Sequence, residues 1–254
     1  MLSCRRAATI ALLAVLPAAA FAVAVTFHRP VRSTPAVWVT PSVPPVVTVA
    51  RYGFEDPRQW ADASEFRHDL TPYAGNDARV RRVPHGAGQA IQFPPPCARE
   101  PCPHLILRVL SRPALNPGAS PFSYGATVRL ARRHTTDGQN VLQKGYAAEG
   151  SQYKLQVDGQ AGLPSCVLVG EESRRIHVAV ADVGVADGGW HQVTCRRGPD
   201  TLTILVDGAP RASTPIPPAL RVDNAMSLNI GGKSAHARND QFHGAVDDIW
   251  ISRP

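Results

Sequence analysis

Trp190-His191-Gln192-Val193-Thr194-Cys195, followed a few residues later by Thr201-Leu202-Thr203-Ile204-Leu205-Val206 and closed by Asp207-Gly208, decides the fold class. Successive side chains of a strand point to opposite faces, so His191, Val193 and Cys195 share one face, and Leu202, Ile204 and Val206 another. Asp-Gly supplies the positive φ that a tight hairpin turn requires. The same texture runs outward in both directions. Upstream, Gln152 to Val157 ends at Asp158-Gly159, and before it come Asn140 to Lys144, Ser123 to Leu130, His104 to Leu110 and Gln89 to Phe93. Val46 to Phe54 opens the series and stops at Glu55-Asp56-Pro57. With 24 prolines and 20 glycines in 254 residues, the chain favours many turns and short strands over long helices. No 3.6-residue apolar period persists outside the N-terminus. The expectation is an all-β protein.

The N-terminus has a different character. Arg5-Arg6 precedes an uncharged run from Ala7 to Phe27, the pattern of an export signal. Ala20-Phe21-Ala22 and Ala22-Val23-Ala24 are small-x-small sites, which delimit residues 1–24 as a signal peptide. A retained signal anchor is the alternative, because the run is long enough to span a bilayer. Either way the remainder is secreted or held at the cell surface. Residues 25–45, with Pro30, Pro35, Pro41, Pro44 and Pro45, lack the donors of a central strand and read as an extended linker. Residues 46–254 then form one domain.

Cysteine usage agrees with export. Beyond Cys4 in the leader stand Cys97, Cys102, Cys166 and Cys195, an even number in an exported chain. Four cysteines allow three pairings, which sequence alone does not choose between. Proximity favours Cys97 with Cys102 around a short loop, and Cys166 with Cys195 as a staple between two strands. The net charge of +7 is spread over scattered pairs such as Arg81-Arg82, Arg132-Arg133 and Arg196-Arg197. A nucleic-acid binder concentrates its charge in a stripe with aromatics between, and none is present here.

Six pieces in order resemble the laminin-G-like family, particularly the jelly-roll domains of exported actinobacterial proteins. They are Tyr52-Gly53-Phe54-Glu55; Gly88-Gln89-Ala90-Ile91-Gln92-Phe93; Leu142-Gln143-Lys144-Gly145 with Tyr153-Lys154-Leu155; Gly189-Trp190-His191-Gln192-Val193 with Leu205-Val206-Asp207-Gly208; Leu228-Asn229-Ile230-Gly231-Gly232; and Phe242-His243-Gly244-Ala245-Val246-Asp247-Asp248-Ile249. The resemblance implies an antiparallel two-sheet jelly-roll β-sandwich of the concanavalin A-like kind, with Trp190 offering a large face for burial and the last strand pairing near the first. It also implies a binding module for glycan or extracellular protein. A structural Ca²⁺ would then be held by Glu55 or Asp56 with Asp247, as hard oxygen ligands. Calcium at the sandwich rim is a second implication, and Asp137, Asn140, Asn239 and Asp240 fall in rim loops. Trp60, Tyr73, Tyr124 and Tyr146 are the aromatics available to a sugar, provided they are not core.

The same fold hosts glucanases, so catalysis has to be weighed. Glycoside hydrolysis needs two carboxylates flanking the bond, about 5–5.5 Å apart for retention. On a strand that requires acids at alternate positions, as in Glu-x-Asp-x-x-Glu, and no such array occurs. Glu171-Glu172 are adjacent, so a strand sends them to opposite faces. His191 has no nucleophile pattern beside it and reads as a strand histidine. The expectation is a non-enzyme, with a structural or assembly module as the alternative and a glycoside hydrolase of the same fold behind it.

Overall fold

The structure is a computed structural model, and it describes residues 45–55 and 60–254. The leader, the linker as far as residue 44, and Asp56 lie outside the described residues. Fifteen strands follow in order: β1 (Val47–Tyr52), β2 (Thr71–Gly75), β3 (Arg81–His85), β4 (Gly88–Gln92), β5 (His104–Val109), β6 (Phe122–Ala131), β7 (Asn140–Gly145), β8 (Gln152–Asp158), β9 (Leu163–Val169), β10 (Ile176–Val180), β11 (Asp187–Arg197), β12 (Thr201–Val206), β13 (Ala209–Pro215), β14 (Leu228–Ile230) and β15 (Ala245–Arg253).

They form two antiparallel sheets. One runs β13-β12-β11-β6-β15-β4-β3, with β1 also paired to β15, and the other runs β10-β9-β8-β7-β14-β5-β2. Alternation explains the sandwich between them. On β6, Phe122, Tyr124, Ala126, Val128 and Leu130 are buried, and Tyr153, Leu155 and Val157 are buried on β8 in the other sheet, where Tyr153 meets Phe122 and Tyr124. Phe122, Tyr124 and Tyr153 form the aromatic centre, with ring centroids 5.2–5.3 Å apart. The buried phenols remain satisfied: Tyr124 Oη donates to the Lys154 carbonyl and Tyr153 Oη to the Leu115 carbonyl, both at 3.2 Å. Burial drives both phenol pKa values upward.

The hairpin of residues 190–208 is β11 and β12, with Val193 opposite Val206 and Arg197 opposite Leu202. The chain's last strand, β15, pairs with β1 from Val47–Arg253 to Tyr52–Ile249. Two disulfides close the structure, Cys97–Cys102 and Cys166–Cys195. The second joins β9 to β11, strands in different sheets, so it staples the sandwich through its core.

Trp190 differs from expectation. It pairs with Arg129 at the outward-facing position of β6 and is only half-buried. Its cover comes from the His85 ring, 4.1 Å between centroids, and from the Arg129 guanidinium, 4.8 Å from the ring centre. The outer edge of β1 is covered as well. Asp62 accepts from the Arg51 N–H, the Ala63 N–H bonds the Arg51 carbonyl, and Ser64 and His68 take the Val49 carbonyl.

Candidate functional site

One end of the sandwich is built around the loop of residues 231–244, which joins β14 to β15. Its entry is fixed by Gly231, at φ +86°, where a Cβ would fall 2.0 Å from the Phe93 ring. Gln241 is buried and locks the loop's exit: its Oε1 accepts from the Leu105 N–H, and its amide donates to the Leu105, Gly231 and Phe242 carbonyls. Between these points, Asn229 donates to the Lys233 carbonyl at 2.8 Å, Tyr146 Oη donates to the same oxygen, and Asn239 donates to the Ser234 carbonyl at 3.0 Å. His104 Nε2 meets the Ala235 carbonyl at 3.1 Å.

A loop held at so many points imposes its geometry on what remains. Arg238 and Asp240 adopt left-handed φ values of +59° and +52°, a conformation non-glycine residues enter at some cost. Together with Thr136, His104, Glu100 and the Cys97–Cys102 loop, they line a hollow of about 270 Å³. Asp240 is partly exposed and forms an ion pair with Lys233, 3.0 Å from Nζ to Oδ2. Behind it, burial lowers the Lys154 pKa and raises that of Asp158, whose Oδ1 accepts the Gln139 N–H.

The four rim residues named by the sequence divide in two. Asp137 is exposed between Thr136 and Gly138, which both line the hollow, and Asp240 lines it directly. Asn140 and Asn239 are buried, although Asn239 still lines the hollow. Asn140 donates through its side chain to Gln143 Oε1 at 2.7 Å and through its N–H to the Asp240 carbonyl at 2.9 Å. Its side chain holds the rim in shape. The aromatics divide likewise. Tyr124 is core and Trp60 packs edge-on against Phe54, whereas Tyr73 and Tyr146 stay accessible. A polar tract links those two. The Arg108 guanidinium lies 4.5 Å from the centre of the Tyr73 ring, and its Nε donates to Asn229, which shares the Lys233 carbonyl with Tyr146.

A second constellation sits where β15 bulges between Asp247 and Trp250. The bulge and a φ of +43° at Asp248 bring two consecutive carboxylates to one corner. Asp247 is buried; its Oδ2 lies 2.5 Å from His85 Nδ1, and its Oδ1 accepts the Asp248 N–H at 2.7 Å. Burial raises the Asp247 pKa against the pull of those two bonds, and the nearby charges of Asp248 and Glu55 raise it further. Donor atoms of His85, Asp247 and Asp248 gather within 4.8 Å of one another. Glu55 is not in that group. Its carboxylate lies against Gly53 and Gly88, where any Cβ would come within 2.5 and 2.6 Å of its oxygens. Glu55 and Asp248 line a cleft of about 530 Å³ with Arg51, Ser64 and Arg67. This cleft is larger than the rim hollow. The sequence reading missed His85, because nothing in Val83-Pro84-His85 announces a partner on the last strand.

Comparison with known proteins places the fold. A family model described as the concanavalin A-like lectin/glucanases superfamily matches residues 109–253. No curated protein matches the sequence. Among solved structures, the binding domain of Paraclostridial Mosquitocidal Protein 1 superposes with a TM-score of 0.63 at 14% identity, over 82% of this chain and 49% of that one. Domain 4 of AbnA, a GH43 extracellular arabinanase from Geobacillus stearothermophilus, in complex with arabinotriose, gives 0.62 at 13% identity over 82% and 93%. The binding domain of botulinum neurotoxin DC in complex with SialylT gives 0.58 at 10% identity over 80% and 47%. The chain therefore spans about half the length of the two toxin structures and nearly all of the arabinanase domain. At such identities the likeness is one of fold.

Proposed function

The chain belongs to the laminin-G-like branch of the concanavalin A-like lectin/glucanases superfamily, and from that premise we propose that it is an exported, non-catalytic module that binds glycans at the rim around residues 231–244. The observation that carries this reading is the pinned loop that turns Arg238 and Asp240 toward one hollow, with Tyr146 and Tyr73 accessible nearby. A sugar offers hydroxyls that donate and accept and an apolar ring face that packs on an aromatic; charged and amide groups on a rigid frame suit the first and tyrosines the second. Two of the similar structures hold glycans, arabinotriose and SialylT.

Export is supported by the two disulfides, which belong to an oxidising compartment. It makes residues 1–24 the leader or anchor and 25–45 the spacer. The non-catalytic assignment draws on the acids themselves. At the rim Asp240 is neutralised by Lys233, and Asp247 is committed to His85.

A structural calcium belongs to the same proposal, at the corner of Glu55 and Asp247. What supports it is the glycine-bare approach to Glu55 and the convergence of Glu55, Asp247 and Asp248 charge, which a cation would offset. Asp248 becomes a further oxygen donor there, whereas His85 competes for Asp247.

A glycan array probed with the protein, with and without Ca²⁺, tests the reading. The expected result is binding to a restricted set of glycans that Asp240→Asn weakens. Complete absence of signal under both conditions would overturn it and shift the function to a protein ligand or an assembly role.

A further inference from the structure

The edges of the two sheets are treated unequally. Strands exposed at an edge are templates for pairing with another chain, and proteins blunt them with proline, charge or covering segments. Here β2 carries Pro72, β3 carries Pro84, β13 carries Pro210 and Pro215, and β1 is covered from Val49 onward. Among the described residues, strand β10, Ile176-His177-Val178-Ala179-Val180, carries neither proline nor acidic or basic charge, and its only strand pairing is with β9.

Its hydrogen-bond parity is set. The Ala181 N–H bonds the Pro164 carbonyl, in register with the β9 pairing, so the odd-numbered residues bond inward to β9. Ile176, Val178 and Val180 therefore direct N–H and C=O groups to the open edge. Their side chains are also exposed, by 56%, 37% and 47%. Three β-branched residues in alternation are the best strand formers, and they stand exposed on an edge strand. His177, facing inward, is held by the Pro215 carbonyl at 3.2 Å.

We propose that this edge is a homodimer interface, in which β10 pairs antiparallel with β10 of a second copy about a two-fold axis through Val178. In that register Val178 faces its own equivalent and Ile176 faces Val180, so all three pairs are apolar. The flanks then match in charge: exposed Arg174 falls opposite exposed Asp182 of the second copy, and the reverse contact repeats at the other end. Moving the axis to His177 sets Val180 against Arg174 and Asp182 against Glu172, and moving it to Ala179 sets Ile176 against Asp182. Only the Val178 register is apolar in its centre and complementary at both ends. Three pairs with two bonds each give about six inter-chain backbone hydrogen bonds. A two-fold interface of this kind is self-complementary by construction.

The consequence is a single sheet running through both copies. Strand β10 belongs to the sheet that carries Tyr73, Arg108 and Lys154, and the pairing row Thr71–Arg108–Asn229–Gln143–Lys154–Val167–Val178 crosses it from edge to edge. Two rims would stand on one continuous sheet, an arrangement that multiplies affinity for any repeating ligand. The dimer itself does not depend on what the rim binds.

Sedimentation velocity of the full chain across a concentration series reads the mass directly. The expected result is a reversible dimer that Val178→Lys converts to monomer, with circular dichroism and melting of the diluted protein unchanged because the site is exposed. Arg174→Asp should weaken the dimer, and adding Asp182→Arg should restore it. A protein that stays monomeric at the highest concentration reached would overturn the proposal. So would a dimer indifferent to Val178→Lys, or a charge-swapped double variant that fails to recover.

Discussion

Cys166 on β9 and Cys195 on β11 lie in opposite sheets, and the disulfide between them, with Cα atoms 5.6 Å apart, crosses the core. It closes a sequence separation of 29 residues, whereas Cys97–Cys102 closes only 5. Loop closure in the unfolded chain then gives about 3–4 kcal/mol for the inter-sheet bond and about 2 kcal/mol for the short loop. Denaturant unfolding of Cys166→Ala/Cys195→Ala and Cys97→Ala/Cys102→Ala, each against the native protein, measures the two losses. The first should be the larger. Equal losses would show that the inter-sheet bond adds no more than a local clip.

Lys144 is the least expected member of the core. It has no exposed surface, and Nζ donates to Ser111 Oγ, to the Asn224 carbonyl and Oδ1, and to the Met226 carbonyl, at 2.8–3.1 Å. Burial lowers its pKa to about 8, against a weak opposing pull from Asp223. The folded value lies below the unfolded one, near 10.4. Between those two values the unfolded chain holds more protons, so this residue's contribution makes stability rise as pH increases from about 8 to 10.4. Lys144→Met should abolish that rise. It should also cost about 1–3 kcal/mol at neutral pH, because the acceptors around Nζ are left without their donor. Urea unfolding across the alkaline range checks both.

Period two and the Asp-Gly turns made the sandwich readable, because they are local and each element repeats them. Even Lys144 carries that signal, since it falls two residues after Leu142, and both point inward. What the sequence conceals is the partner: Ser111, Asn224 and Met226 arrive from two distant loops. The rim shows the same limit. Asn140 and Asn239 are candidates by residue type, but an amide that suits a ligand suits equally well the pinning of a loop, and residue type does not separate the two. Whether a strand becomes an edge, as β10 does, depends on the order of pairing across the whole chain.

His191 carries a pH dependence of opposite sign. Its Nδ1 lies 2.8 Å from Asp207 Oδ2 and its Nε2 lies 3.1 Å from Asp187 Oδ1, so only the imidazolium donates to both carboxylates. Partial burial alone would lower the pKa, but the two carboxylates outweigh it and raise it. The stabilisation is therefore complete below the unfolded value, near 6.5, and disappears as pH climbs through the folded one. Because both aspartates are exposed, it amounts to no more than about 1 kcal/mol. His191→Gln should flatten the stability profile between about pH 5 and pH 8 without altering the fold. An unchanged slope would assign that slope to another histidine.

The proposed calcium at the Glu55 and Asp247 corner gives a direct thermal readout. Extracellular sites of this kind bind at about 10⁻⁴–10⁻³ M, so millimolar Ca²⁺ should raise the melting temperature by a few degrees and Mg²⁺ should not. Glu55→Gln should remove the shift. His85→Ala should enlarge it, since His85 Nδ1 otherwise occupies Asp247 Oδ2. No stabilisation at millimolar Ca²⁺ in either background would sink the site.

The rim itself is tested by separating the groups that would touch a sugar from those that hold the loop. Tyr73 is exposed, with one face near the Arg108 guanidinium, so Tyr73→Ala removes a stacking surface and leaves the fold alone. Tyr146 does two jobs, because its ring is accessible while Oη anchors the Lys233 carbonyl. Tyr146→Phe removes only the anchor, whereas Tyr146→Ala removes the ring as well. If the ring binds glycan, the alanine variant should lose roughly tenfold in affinity, about 1.4 kcal/mol, beyond any loss in the phenylalanine variant. Asp240→Asn keeps the side chain's shape and its hydrogen-bonding oxygen but breaks the Lys233 pair, and should weaken binding by a similar factor. Asn140→Ala should behave differently. It removes the bond to Gln143 beneath the rim, so melting temperature and affinity should fall together. Calorimetric titration of the array-selected glycan against these variants, read beside their melting curves, resolves the two classes. Affinities that simply track stability across all of them would place the ligand elsewhere on the molecule.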